Sequence, residues 1–135
     1  IGASMGTGKQ TVLFTGDGSF GMNLNELATA VTEDLPLVVV ILNNNRLGMI
    51  RQWQGLFFDH HYMATVLDRK TDFVKLADAF GAKGYLARTE SELQHALDQA
   101  FAMASPSVIN CIIPPEENVL PMVPPNGSLD DIITK

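Results

Sequence analysis

Two stretches, Thr11-Val-Leu-Phe-Thr-Gly-Asp-Gly-Ser-Phe-Gly21 and Leu37-Val-Val-Val-Ile-Leu-Asn-Asn-Asn45, decide how this chain folds. Each opens as a short, β-branched-rich apolar run without polar alternation, the pattern of a strand covered on both faces. Thr11–Thr15 and Leu37–Leu42 are therefore expected to be buried strands. Between them Leu24, Leu27, Ala28 and Val31 fall at i, i+3, i+4 and i+7. Asn23 followed three residues later by Glu26 has the form of a capping box, so a helix is expected to start near Asn23 and to end by Pro36.

Further along the chain the same rhythm continues. Asp72 can cap a helix whose apolar face is Phe73, Leu76, Ala77 and Phe80, with Gly81 as its stop. A short strand is expected at Lys83–Ala87. Thr89 with Glu92 opens a third helix, with Leu93, Ala96, Leu97, Ala100, Phe101 and Ala104 on one face, and Ser107–Ile113 reads as a fourth strand. The order β-α-β-loop-α-β-α-β requires parallel strands joined by right-handed crossovers. The fold class is α/β, an open parallel sheet with helices on both faces.

The connection from Asn43 to Thr71 breaks the rhythm. Connections of that length inside α/β domains tend to be functional loops, and this one leaves from the carboxyl end of a strand, where open parallel sheets bind ligands. The stretch from Pro114 to Lys135 holds Pro114, Pro115, Pro121, Pro124 and Pro125, a density incompatible with helix interior or central strand. It is expected to form an acidic tail (114–135) that wraps over the α/β domain (1–113), with Glu116, Glu117, Asp130 and Asp131 solvated.

The 135 residues carry Lys+Arg 9 against Asp+Glu 15, a formal charge of −6, with 46% hydrophobic residues. That composition excludes full-length disorder, and the acidic balance argues against nucleic acid or an anionic membrane as partner. Cys111 is the single cysteine, so no internal disulfide forms, and no uninterrupted apolar run reaches the roughly 18 residues that span a bilayer. A cytoplasmic, bacterial setting is expected. The opening Ile1-Gly-Ala-Ser-Met-Gly6 has neither an initiator Met nor a signal-peptide pattern and is expected to belong to a longer chain.

Three glycine motifs compete for a phosphate. Gly8-Lys9 lacks the Ser/Thr and the preceding strand of a Walker A loop. Gly16-Asp-Gly-Ser-Phe-Gly21 formally matches G-x-G-x-x-G after a strand and before a helix. Against that reading, the second strand ends in Asn43-Asn-Asn45 rather than Asp or Glu, which leaves at best an NADP variant with Arg46 on the 2′-phosphate. Asp17 would also sit against a pyrophosphate, which is repulsive unless a cation intervenes. The third reading supplies that cation. Asp17 and Asn44 lie at the carboxyl ends of two strands, and if those strands are neighbours, their oxygens with a backbone carbonyl form a hard-ligand cage suited to Mg²⁺ bridged to a diphosphate. The glycines let the backbone approach, Ser19 adds a donor, and the helix expected near Asn23 turns its positive end to the site.

Gly16-Asp17-Gly18 followed, after 24 intervening residues, by Asn43-Asn44 resembles the thiamine-diphosphate signature. Asn25-Glu-Leu-Ala-Thr29, Arg46-Leu-Gly-Met-Ile-Arg-Gln-Trp-Gln54 and Asn118-Val-Leu-Pro-Met-Val-Pro-Pro125 further resemble the catalytic large subunit of acetolactate synthase, over essentially the whole chain. Pro125-Asn126-Gly127 is closer to bacterial than to plant members. The resemblance implies that Asp17, Asn44 and the carbonyl of Arg46 ligate Mg²⁺, and that Gly18 and Ser19 meet the diphosphate, with Gly16 also in the cofactor site. It also implies that Leu47, Gly48, Met49 and Ile50 line the cofactor, and that Trp53 shapes a substrate channel. It further implies pyruvate and 2-oxobutyrate as substrates, a homodimer or homotetramer, and a regulatory small subunit. FAD would be bound elsewhere in the full-length enzyme. The resemblance also implies an activating Glu on a domain outside this chain, so no catalytic residue is expected here and the chain alone is expected to be inactive.

Blander readings stand beside these. Trp53 alone could anchor its loop. Met49 could serve packing only. His60-His61, adjacent in an irregular loop, reads as a solvated pair rather than a metal site, and Cys111 in its apolar strand reads as an inert core thiol. An NADPH-binding oxidoreductase module, a non-catalytic oligomerisation module, and thiamine-diphosphate enzymes of the pyruvate oxidase, glyoxylate carboligase or sulfoacetaldehyde acetyltransferase type remain as alternatives.

Overall fold

A computed structural model describes residues 1–134. The elements run α1 (Gly2–Thr7), β1 (Thr11–Gly16), α2 (Asp17–Asn23), a 3₁₀ turn, α3 (Leu27–Thr32), β2 (Leu37–Asn43), α4 (Gly48–Phe57), α5 (Phe73–Phe80), β3 (Lys83–Ala87), α6 (Glu90–Met103) and β4 (Ser107–Ile112). The four strands are parallel in the order β1-β2-β4-β3. The open parallel sheet expected from the alternating pattern is the fold observed.

β2 shows why its run carries no polar alternation. Leu37, Val39 and Ile41 pack on one face with Leu27 and Ala30 of α3 and Phe73 and Ala77 of α5. Val38 and Val40 pack on the other with Ala96 and Ala100 of α6. From Leu37 to Ile41 successive side chains point to opposite faces that are both covered, so each of these positions is apolar.

β1 departs from expectation. It pairs with β2 from Thr11–Leu37 to Gly16–Leu42, as the site argument requires. Val12, Leu13 and Phe14 are nevertheless exposed, Phe14 by 64%. β1 has a hydrogen-bonded neighbour on one side only, and an apolar run cannot reveal whether its strand is central or at the edge.

Two caps form as read. The Asp72 carboxylate accepts from the amides of Val74 and Lys75 (3.1 and 3.2 Å), and Thr89 with Glu92 closes a complete capping box. Gly81 ends α5 at φ 88°, in the left-handed region that glycine adopts freely. The Asn23–Glu26 box does not form. α2 already begins at Asp17, Asn23 makes no side-chain cap, and Glu26 instead accepts from Asn25 Nδ2 at 3.2 Å. The chain enters the helix straight from Gly16, so the first turn belongs to the glycine motif itself.

The C-terminal segment lies against α4 through Gln52, which is hydrogen-bonded to the Val119 backbone, and through Arg51, which pairs with Glu116 at 2.9 Å. Within the segment Met122 and Ile133 form an antiparallel bridge. Lys135 lies outside the described residues. No helix among the described residues is long and apolar enough to cross a membrane.

Candidate functional site

The register carries Asp17 and Asn44 off the same edge of the sheet, one and two residues beyond the Gly16–Leu42 pair. The Asp17 side chain is 2% exposed. Burial pushes its carboxyl above the ordinary aspartate range, against the opposing pull of its own amide, those of Gly18 and Asn44, and the Arg69 guanidinium. Arg69 Nη1 donates to the Asp17 carbonyl at 3.1 Å and fills the space a Cβ at Gly21 would need. Among the described residues the ion pairs are Arg51–Glu116 and Lys75–Asp72, so no side-chain cation pairs with Asp17.

Past the end of β2 the backbone makes a hook, Asn44–Leu47. Asn44 Oδ1 accepts from the Arg46 amide at 3.1 Å, and Asn43 Nδ2 donates to Asn110 Oδ1 at 3.0 Å. Residues 65–67 return to the hook as an antiparallel bridge: the Leu47 amide donates to the Thr65 carbonyl (2.8 Å), and the Leu67 amide to the Asn45 carbonyl (3.0 Å). The Asn45 carbonyl also accepts from Arg46 Nη1, and the Leu47 carbonyl accepts from Arg51 N–H. The Arg46 carbonyl between them accepts no hydrogen bond from a described residue, and Arg46 Nε is buried without a partner.

These elements enclose one cleft of about 460 Å³. Gly16, Asp17, Gly18 and Ser19 form one wall, and Asn44, Arg46, Leu47, Gly48, Met49 and Ile50 form another, so every cofactor-site residue read from the sequence lines it. The starts of α2 and α4 both border this cleft and neither has a side-chain cap, so the Asp17 and Gly18 amides face the Asp17 carboxylate while the first-turn amides of α4 have no N-cap partner. The expected positive helix end is thus supplied at Asp17 and Gly48, not near Asn23. The Arg46 carbonyl, which accepts no hydrogen bond from a described residue, and the Asn44 and buried Asp17 side chains are oxygen donors on residues that line the cleft. Among the described residues no three His, Cys, Asp or Glu side chains form a metal cluster. A cation here would have one carboxylate and neutral oxygens, which suits an ion that completes its shell with water and phosphate.

The chain matches the family described as thiamine pyrophosphate enzyme, C-terminal TPP binding domain, over residues 1–111. It belongs to this family. The thiamine pyrophosphate-binding domain is 41% identical over 136 residues to the acetolactate synthase isozyme 2 large subunit of Escherichia coli, covering 100% of this chain and 25% of that protein. It is 39% identical over 134 residues to a probable acetolactate synthase large subunit of Methanocaldococcus jannaschii, covering 98% and 22%. The chain therefore spans about a quarter of the length of these curated relatives. Among solved structures, the benzoylformate decarboxylase of Polynucleobacter necessarius superposes with a TM-score of 0.78 at 27% identity, covering 88% of this chain and 22% of that one. The family match favours the thiamine reading of the glycine motif over the dinucleotide one.

Sequence reasoning missed three features of the domain. The connection 43–71 contains α4, ten residues with Met49, Ile50, Trp53 and Phe57 along one side. Its N-cap position is Leu47, so a search keyed to Ser, Thr, Asp or Asn passes over it. The helical spacing of those apolar residues is the signal that could have found it. Trp53 lies in an adjoining groove of about 660 Å³ shared with Met49, Ile50, Phe57 and Met63, and stacks edge-on with Phe57 at 5.7 Å. The second omission is the tail: Glu117, Asn118 and Val119 line the same cleft, and Glu116, solvated as expected, also pairs with Arg51. The third is Arg69, whose contact with Asp17 spans 52 positions and leaves no local pattern. His60 and His61 are exposed, with His60 Nδ1 3.0 Å from the Tyr62 hydroxyl. Burial pushes the Cys111 thiol up, away from thiolate reactivity.

Proposed function

We propose that this domain holds Mg²⁺-thiamine diphosphate for an acetolactate synthase large subunit. The observation that carries the reading is the convergence of Asp17, Asn44 and the hydrogen-bond-free Arg46 carbonyl on a cleft bordered by two uncapped helix starts. The Asp17 carboxylate, the Asn44 amide oxygen and the Arg46 carbonyl would hold Mg²⁺. The amides near Gly18 and Ser19 would meet the diphosphate, and Leu47, Gly48, Met49 and Ile50 would flank the rest of the cofactor. The chemistry supplied by bound thiamine diphosphate is decarboxylation of a 2-oxo acid with stabilisation of the resulting carbanion.

The chain's own residues contribute binding and orientation. Asp17 brings the one negative charge that offsets the cation, and the hook at 44–47, braced by 65–67, keeps the neutral oxygens in place without reorganisation on binding. Trp53 and its groove would shape the entry of substrate beside Met49 and Ile50. Greater identity to acetolactate synthase large subunits (41% and 39%) than to the benzoylformate decarboxylase (27%) favours pyruvate, joined to a second pyruvate or to 2-oxobutyrate. In this proposal residues 1–113 are the cofactor unit and 114–135 its covering segment. The whole enzyme is a cytoplasmic homodimer or homotetramer that carries FAD and the activating Glu on its other domains and takes a regulatory small subunit.

Calorimetric titration of the full-length protein with thiamine diphosphate, with Mg²⁺ and again with EDTA, tests the reading. Binding that needs Mg²⁺ and disappears in Asp17→Ala is expected. Metal-independent binding of NADPH in its place would overturn it.

A further inference from the structure

The oxygens proposed for the cation stand on two junctions, the glycine turn after β1 and the hook after β2, and one short segment bonds to both. On the hook, the Leu67 amide donates to the Asn45 carbonyl at 3.0 Å. On the glycine turn, Arg69 Nη1 donates to the Asp17 carbonyl at 3.1 Å. The span between these two anchors is pinned by a bond of its own, from the Arg69 N–H to the Leu67 carbonyl at 2.7 Å. Apolar contacts fill the same gap: a Cβ at Gly18 would lie 3.1 Å from Leu47 Cδ2 and 3.5 Å from Leu67 Cδ1. Neither Leu67 nor Arg69 lines the cofactor cleft.

The path of the glycine turn is set locally, and Arg69 acts within it on one peptide plane. The Asp17 carbonyl and the Gly18 amide belong to that plane. Arg69 holds its oxygen, while its N–H faces the Asp17 carboxylate. Turning the plane would carry that N–H away, so a bond to the carbonyl constrains the carboxylate. The guanidinium reaches the carbonyl across Gly21, through the space in which any other residue would place its Cβ.

Resting on the Mg²⁺-thiamine diphosphate reading above, we propose that Arg69 is a positioning residue that keeps the Asp17 carboxylate at a fixed spacing from the oxygens of the hook, so that the site selects Mg²⁺ over the larger Ca²⁺. Mg²⁺ demands near-octahedral oxygens at about 2.0–2.1 Å, whereas Ca²⁺ accepts about 2.3–2.6 Å and irregular geometry. Oxygens held at the shorter spacing penalise Ca²⁺, and oxygens free to spread lose that preference. The charge of Arg69 repels both divalent ions alike, so the ratio of their affinities reads position alone.

Gly21→Ala in the full-length protein is the primary test, because it displaces the guanidinium while leaving Arg69 itself intact. The new Cβ meets only the flexible end of the Arg69 side chain, and alanine inside a helix is favoured over glycine. At saturating thiamine diphosphate the calorimetric Kd for Mg²⁺ is expected to rise about tenfold, with that for Ca²⁺ staying within about twofold of wild type. The melting temperature of the cofactor-free protein should be no lower than wild type, so stability and Mg²⁺ affinity part company. Arg69→Met deletes the donor from the other side, is expected to lower the Mg²⁺ preference by a similar factor, and carries the test if Gly21→Ala does not fold. The two substitutions together should lower it no further, since both break one contact. A wild-type preference in either folded variant overturns the proposal, because a contact that only stabilises the fold, or a guanidinium that acts only by its charge, leaves the ratio unchanged. Failure of wild type to bind thiamine diphosphate with either ion would instead overturn the functional reading on which it rests.

Discussion

The two strand ends that border the cleft reach it by different means. At the first, β1 passes into α2 with no intervening residue, Gly16 closing the strand and occupying the N-cap position. At the second, four residues separate β2 from α4, Asn45 takes a left-handed φ of 54°, and the path is held by Thr65 and Leu67 from some twenty positions away. The first junction is local: a glycine-rich turn sets its geometry and a neighbouring strand sets its place. The second needs tertiary partners to hold its oxygens. Binding of a divalent cation across the gap should therefore depend on one charge at the first junction and on the bracing at the second.

The largest expected effect comes from removing that charge. Asp17→Asn should weaken Mg²⁺-dependent cofactor binding by more than about a hundredfold, read by calorimetry, because a charged ligand to the cation is lost. The same substitution should leave the cofactor-free protein at least as stable near neutral pH. With its pKa raised by burial, Asp17 binds more protons folded than unfolded, so its contribution to stability falls as pH climbs from the ordinary aspartate value through the raised one. Thermal unfolding should show the gap between variant and wild type closing as pH is lowered through that window.

A smaller effect is expected at the second junction, where Leu67→Pro deletes the amide that donates to the Asn45 carbonyl. Affinity for the cofactor should fall about tenfold. Unchanged affinity would show that the hook holds itself and would erase the contrast between the junctions. Smaller again is Gly48→Ala, whose Cβ would come to 3.0 Å from Asn44 Nδ2. A few-fold weaker binding with helix content intact by circular dichroism is expected. Thr89→Ala, remote from both junctions, should cost about 1 kcal/mol of stability in denaturant unfolding and leave cofactor affinity alone.

Much of this was legible from residues alone. The caps at Asp72 and Thr89 and the glycine stop at position 81 are local chemistry and form as read. All ten residues assigned to the cofactor site share one cleft, because parallel strands deliver their carboxyl ends to one edge. What was misread was decided elsewhere. Asn23 and Glu26 have the letters of a capping box, but the helix was already under way at Asp17. Val12, Leu13 and Phe14 have the composition of a buried strand, but exposure depends on what lies beside them.

The sequence by itself determined the strand-helix alternation, the parallel sheet and the placing of Asp17 and Asn44 at the carboxyl ends of two strands, since hydrophobic period and turn chemistry act over a few residues. Only the tertiary structure decided that β1 lies at an edge, that residues 65–67 brace the hook, and that Gln52 and Arg51 draw the C-terminal segment onto α4 as a wall of the cleft. Those contacts join positions from about 20 to 67 apart in the chain, where no periodicity or spacing rule operates and only packing selects the partner.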